Sequence, residues 1–226
     1  MKYCKIQARQ ILTSSGWLSL QPKKFQNEII ERGIVKHYTP GEYVYRLGDD
    51  IGGIYGMISG AVGITTAPMV ASPKLVHMGR PGGWTGEGCY LTRQPRQIEL
   101  RCILETWLFH VPLHVLDQMT AKEPNVIRYI SHILLLNSAM LVQVVHDLQK
   151  PEADKRIASV LHRSTHQGSA PVPLTQAEIG AMANASRKQV NATLQKFAAL
   201  GWVNNSYRNV VVVAPKELEH FGRQPI

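Results

Sequence analysis

The chain has 226 residues, enough for two ordinary domains, and its 44% apolar content can fill the cores of both, which excludes a disordered or fibrous protein. A net charge of +9 favours a polyanionic partner without identifying it. Cys4, Cys89 and Cys102 are odd in number and lack C-x-x-C spacing, which excludes a disulfide scaffold and a zinc ribbon, and no unbroken run approaches the ~18 apolar residues of a membrane span, so a soluble, cytoplasmic protein with no membrane partner is expected.

Along the chain, P-K-K-F-Q-N-E-I-I-E-R at 22–32 predicts a short helix with Phe25, Ile29 and Ile30 inward, ended by Gly33. From 34 to 111, short β-prone runs at 35–38, 43–46, 54–58, 62–65, 75–78 and 98–104 alternate with glycine and proline, the pattern of a small antiparallel sandwich or roll. Gly41, Gly48, Gly52, Gly53, Gly60 and Gly63 are expected to serve turns that need positive φ. His77 and His110 fall in strand-like runs and are assigned no role.

A helical patch at 113–119 leads to Pro124, an acceptable first helical residue, and then to an unbroken helical pattern reaching Gln149. In heptads, Ile127, Leu134, Leu141 and Leu148 occupy one seam position and Ile130, Asn137 and Val144 the other, which predicts a parallel homodimer through this helix. Ile133, Leu136 and Met140 form a second stripe for the β domain of the same chain. A core helix of a monomer is the competing reading.

Beyond it lie a helix at about 155–166 and a Gly/Pro loop, and positive charge becomes denser: up to Gln149 there are 15 Lys and Arg against 11 Asp and Glu, and after it 10 against 5. His162 and His166 have helical metal spacing, but H-R-S-T-H lacks the glutamate of a zinc protease.

The segment L-T-Q-A-E-I-G-A-M-A-N-A-S-R-K-Q-V-N-A-T-L-Q-K-F at 174–197 carries two helix starts eleven residues apart. Thr175 caps the first with Glu178 reciprocating and Leu174 stapled to Ile179; Ser186 caps the second with Gln189 reciprocating. Asn184 stands where the first helix must turn, and asparagine tolerates the left-handed conformation. Two short helices meeting at so tight a turn make a helix-turn-helix. Val190, Leu194 and Phe197 form the buried stripe of the second helix and leave Arg187, Lys188, Asn191 and Gln195 outward. In that motif the early residues of the second helix enter the major groove, where an arginine grips guanine O6 and N7 with two hydrogen bonds, so Arg187 is the candidate base reader. Thr175, Gln176, Ser186 and Gln189 are candidate phosphate contacts, with Lys188 and Asn191 completing the surface. After Gly201, runs at 202–204 and 210–213 flank N-S-Y-R-N as a wing hairpin, with Tyr207 and Arg208 at its tip either touching phosphate or serving as plain turn residues.

The order of roll, long helix and winged helix-turn-helix, with L-T-Q-A-E-I-G-A-M-A-N-A-S-R-K-Q-V, resembles the Crp/Fnr family of bacterial transcription regulators. G-E-Y-V-Y-R-L-G-D and I-Y-G-M-I-S-G-A-V-G-I resemble the turns of that family's cyclic-nucleotide-binding roll, and G-E-G-C-Y-L-T-R-Q-P-R at 86–96 its phosphate cassette. The resemblance implies an α+β fold: an antiparallel β-roll (double-stranded β-helix) at 1–120, a dimerisation helix at 121–149 and a winged helix-turn-helix at 150–226. It implies a homodimeric regulator of transcription, not an enzyme, with double-stranded DNA and RNA polymerase as partners. In the cassette, Arg96 would take a cyclic phosphate, Glu87 a ribose hydroxyl, and Gly86, Gly88 and Cys89 would offer backbone to a cyclic nucleotide, cAMP or cGMP. An Arg96–Glu87 ion pair bracing a turn, with no nucleotide, is the other reading. The sequence departs from the family's cAMP responders where Leu141 and Val142 replace hydroxyl side chains, and where Lys188 follows Arg187 in place of a glutamate. The alternative function is a cyclic-nucleotide-binding regulatory subunit whose C-terminal domain binds protein.

Overall fold

The computed structural model describes residues 3–66, 74–165, 171–206 and 209–223. The chain divides into two compact units, residues 1–73 with 79–140 and residues 74–78 with 141–226, so the long helix is shared between them and does not stand as a domain of its own.

The first unit opens with α1 (Lys5–Ser14), a 3₁₀ turn at Trp17–Leu20 and α2 (Lys23–Arg32). Strands β1 (Ile34–Tyr38), β2 (Tyr43–Tyr45), β3 (Ile54–Ser59), β4 (Val62–Thr66), β5 (Lys74–Gly79) and β6 (Trp84–Thr85) follow, then α3 (Glu87–Thr92), β7 (Glu99–Cys102), β8 (Thr106–Val111) and α4 (Leu113–Lys122). One antiparallel sheet runs β1-β8-β3-β6, with Tyr55 opposite both His110 and Thr85. A second sets β7 between β2 and β4. Tyr45, Tyr55, Met57, Val62, Leu100, Cys102 and Leu108 form one core of the roll. Leu12, Trp17, Phe25, Ile29, Ile58, Phe109 and Leu116 build a second core with the flanking helices.

Of the six glycines expected at turns, Gly41, Gly48 and Gly60 have positive φ and Gly52, Gly53 and Gly63 do not. Gly53 is required by close approach, since a Cβ there would lie 1.7 Å from the Val111 carbonyl oxygen.

The long helix α5 spans Asn125–Leu148. By length and composition it is apolar enough to cross a membrane, although no apolar run is unbroken, because the average tolerates its Ser, His and Asn. Only part of that apolarity is buried: Val126, Ile130 and Ile133 join the helical core, and Trp17 Nε1 donates to the Tyr129 carbonyl at 2.6 Å.

The expected seam needs correction on one of its two positions. Ile130 and Val144 are buried, and Asn137 is hydrogen-bonded within the first unit, so none of the three faces outward. Ile127, Leu134, Leu141 and Leu148 are exposed as expected, each 40% or more. The 3-4 alternation that includes them continues through Ser131, Ser138 and Val145, of which Ser138 and Val145 are exposed and Ser131 half-buried. Both choices of second position satisfy a heptad. Apolarity favours Ile130 and Val144 for the very reason that the chain buries them itself.

The second unit contains α6 (Ala153–Ser164), β9 (Pro171–Val172), α7 (Gln176–Ala183), α8 (Arg187–Ala199), β10 (Val203–Ser206), β11 (Asn209–Val212) and α9 (Pro215–Arg223). The expected hairpin is present, β10 with β11, and β9 adds a third strand. Its tip, Tyr207 and Arg208, lies outside the described residues, as does His166. The helix α9, absent from the sequence expectations, packs Phe221 against Phe197 of α8 and against Trp202, with centroids 5.6 and 5.5 Å apart.

Candidate nucleic-acid interface and effector cassette

Both helix starts of the motif form as the sequence requires. The Thr175 hydroxyl accepts from the Glu178 N–H, while the Glu178 carboxylate accepts from the Thr175 N–H at 2.7 Å. Ser186 Oγ accepts from the Gln189 N–H, and Gln189 Oε1 from the Ser186 N–H at 2.8 Å. Asn184 ends α7 in the left-handed region, φ 45° and ψ 55°. Gly180, which the sequence reading did not single out, lets the two helices meet. A Cβ there would lie 2.8 Å from the Ala185 carbonyl oxygen and 3.4 Å from a Val190 methyl. The signal was available as a lone glycine inside a capped helix.

Val190, Thr193, Leu194 and Phe197 are buried under α8, and Arg187, Lys188, Gln189 and Asn191 are exposed on its opening turns. Neither Arg187 nor Lys188 is in an ion pair among the described residues. Two cations therefore stand beside the positive end of a helix dipole and its uncapped N–H groups, an arrangement suited to an anion. Thr175, Gln176 and Ser186 lie at the surface on the two helix starts, Gln176 half-buried. The motif thus brings together all seven residues expected to meet a duplex.

The cassette is arranged differently. Gly86 caps α3 in the left-handed region, φ 97°. Gly88 has open space above it, and Cys89 is buried with its thiol on the Pro95 carbonyl at 3.6 Å. Arg96 is only 3% exposed. Its Nη2 donates to the Gly53 carbonyl at 2.9 Å and its Nη1 to that of Gly86 at 3.5 Å. The guanidinium lies over the Tyr45 ring at 4.2 Å and near that of Tyr55 at 5.8 Å. Glu87 is 6% exposed, and its Oε1 accepts from Asn137 Nδ2 at 2.9 Å, the same amide donating to the Trp84 carbonyl at 3.2 Å. Burial raises the Glu87 carboxyl above the usual carboxylate range, opposed by the Asn137 hydrogen bond and the Arg96 charge.

Arg96 and Glu87 form no ion pair within 4 Å among the described residues, so the brace expected as the alternative is replaced by two separate anchors. The roles of Tyr45, Tyr55 and Asn137 were not foreseen. The chain itself engages both groups that a cyclic nucleotide would use, although Arg96 Nε is buried without a hydrogen bond among the described residues. The nucleotide's phosphate would have to draw Arg96 off two carbonyls and an aromatic ring, and its ribose would compete with Asn137.

On β8, which pairs with β3, His110 stacks on Tyr55 with centroids 4.4 Å apart. Both ring nitrogens are buried without a hydrogen bond among the described residues, and burial, with Lys36, Arg96 and His114, pushes its pKa down to about 4.

Two family descriptions match the chain: the cyclic nucleotide-binding domain over residues 35–123 and the Crp-like helix-turn-helix domain over residues 155–221. The chain belongs to the Crp/Fnr family of transcription regulators. It is a DNA-binding regulator of transcription and not an enzyme. Among its relatives are the regulatory protein HlyX of Actinobacillus pleuropneumoniae, 20% identical over 85% of this chain and 82% of HlyX, and the anaerobic regulatory protein of Haemophilus influenzae, 20% identical over 79% and 71%. FixK2 from Bradyrhizobium japonicum shares the fold with a TM-score of 0.71 at 16% identity, covering 86% of this chain and 99% of that one.

Proposed function

We propose that this Crp/Fnr regulator acts in the cytoplasm as a homodimer that lays two copies of α8 in successive major grooves, about one duplex turn apart, and controls transcription through RNA polymerase at the bound site. The observation that carries this reading is the opening of α8, where Arg187 and Lys188 are exposed, unpaired among the described residues and held on a doubly capped turn. Arg187 reads guanine. Lys188 cannot accept from cytosine as a glutamate would, so this regulator's operator differs at that base pair from those of the cAMP-responsive branch. Thr175, Gln176, Ser186, Gln189 and Asn191 fix register on the phosphates and groove edge. The exposed stripe Ile127, Leu134, Leu141, Val145 and Leu148, with Ser131 and Ser138 between, supports self-association.

Selecting bound fragments from genomic DNA tests the reading. We expect a two-fold symmetric consensus; recovery of random sequence contradicts it. The roll keeps the sensor's shape, but its arginine and glutamate are engaged by the chain, so neither cAMP nor cGMP is expected to raise the melting temperature. A rise that saturates with nucleotide and is lost in Arg96→Ala contradicts that expectation.

A further inference from the structure

The last two turns of α5, which belong to the second unit, are joined to the DNA reader by two polar nodes, the first buried and the second half-buried. The first is Asp147, 4% exposed. Its Oδ1 accepts from Gln143 Nε2 at 3.1 Å, Lys150 Nζ at 2.5 Å and Ser159 Oγ at 3.2 Å, and its Oδ2 accepts from Arg163 Nη1. Lys150 also donates to Ser159 Oγ at 3.0 Å.

The second node is Arg156, which binds main chain at both ends of the junction. Its Nη1 donates to the carbonyls of Lys150 and Pro151 at 2.5 and 2.8 Å, in the connection between α5 and α6. Its Nε donates to the Ala183 carbonyl at 2.8 Å and its Nη2 to that of Asn184 at 3.0 Å. Those two carbonyls end α7, where helix geometry leaves acceptors without partners, and α8 begins three residues later. Lys150 belongs to both nodes, through its amine and its carbonyl.

Arg156, Ser159 and Arg163 recur at three- and four-residue spacing, so α6 turns one polar face to the junction. Burying a carboxylate among cations adds little stability over an apolar contact, but it tolerates few geometries. The planar guanidinium of Arg156 is still more demanding, with four carbonyls fixed at once.

We propose that Asp147 and Arg156 are positioning residues for DNA recognition: they set the angle at which α8 is carried on the last turns of α5, and thereby the half-site spacing that the dimer accepts. This rests on the dimeric DNA-reading function above. Neither residue faces the duplex in that scheme; both act through the turn and the connection.

Three duplexes test it with the full-length protein: two copies of the selected half-site at natural spacing, the same with one base pair inserted, and a single half-site. The wild type is expected to prefer natural over inserted spacing by about tenfold. Arg156→Met brings that ratio below about threefold while single half-site affinity stays within about twofold. Arg156→Lys, which keeps the charge and cannot reach four carbonyls, falls between. Ser159→Ala, which removes one donor to Asp147 and leaves every charge, shifts the ratio in the same direction by less, and Asp147→Asn by more. A ratio unchanged in all four variants overturns the proposal, as does loss of single half-site binding in step with the paired site, which would mark a merely structural role. A wild type that binds none of the three duplexes sinks the DNA-reading assignment itself, a separate failure.

Discussion

Arg187, on the first turn of α8, is exposed and without an ion-pair partner among the described residues, whereas Arg96 in the cassette is 3% exposed, bound to two carbonyls and covered by a tyrosine ring. The neighbours follow suit: Lys188 and Asn191 are at the surface, and Glu87 is buried on Asn137. Both regions carry side chains suited to an anion, and only one presents them. An arginine whose two amino groups are already bound to carbonyls of the chain contributes to stability; one left in water contributes to binding.

Three substitutions test the contrast through stability, and a fourth closes it. The largest effect is expected at Arg96. Arg96→Ala strips the Gly53 and Gly86 carbonyls of their donor in a buried site and should cost about 3 kcal/mol, measured by denaturant unfolding. A change below about 0.5 kcal/mol would mean that this arginine is as dispensable to the fold as a surface one.

Gly180→Val comes next. Its branched Cβ would press on the Ala185 carbonyl and Val190, so the α7–α8 angle must open at a cost of about 2 kcal/mol. DNA affinity should fall with it, because the motif's geometry and its stability share this contact.

The His110 effect is smaller and confined to acid. With its pKa down to about 4 in the fold against 6.5 for an unperturbed imidazole, the ring must stay neutral, so its contribution is intact above pH 6.5 and is lost as pH falls toward 4. His110→Phe keeps the stack on Tyr55 and should flatten the stability-versus-pH curve between those values. An equal slope in both proteins would assign the acid sensitivity elsewhere.

How much of this was legible in the sequence follows from how local each interaction is. The caps of α7 and α8 act between Thr175 and Glu178 and between Ser186 and Gln189, so a short window contains them whole. The strands of the roll declared themselves as short β-prone runs, β8 only as the strand-like run around His110, and β6, two residues long, did not. The cassette residues were found, but their engagement was not. Glu87 meets Asn137 fifty positions away and Arg96 meets Gly53 forty-three away, and no periodicity reports such pairs. Asn137 also shows how a correct spacing misleads, since a polar residue at a heptad position can face the home domain as readily as a partner. The roles of α9 and Arg156 depend on packing across the reader, which local propensity does not encode.

The central claim is that the exposed opening of α8 reads bases. The most direct test compares wild type with Arg187→Ala on the selected operator and on a random duplex of equal length, at one salt concentration. The account predicts unfolding stability within about 0.5 kcal/mol of wild type and operator affinity weaker by about 1 to 3 kcal/mol, with random-duplex binding falling far less. Identical isotherms on the operator, from a folded variant, would contradict it.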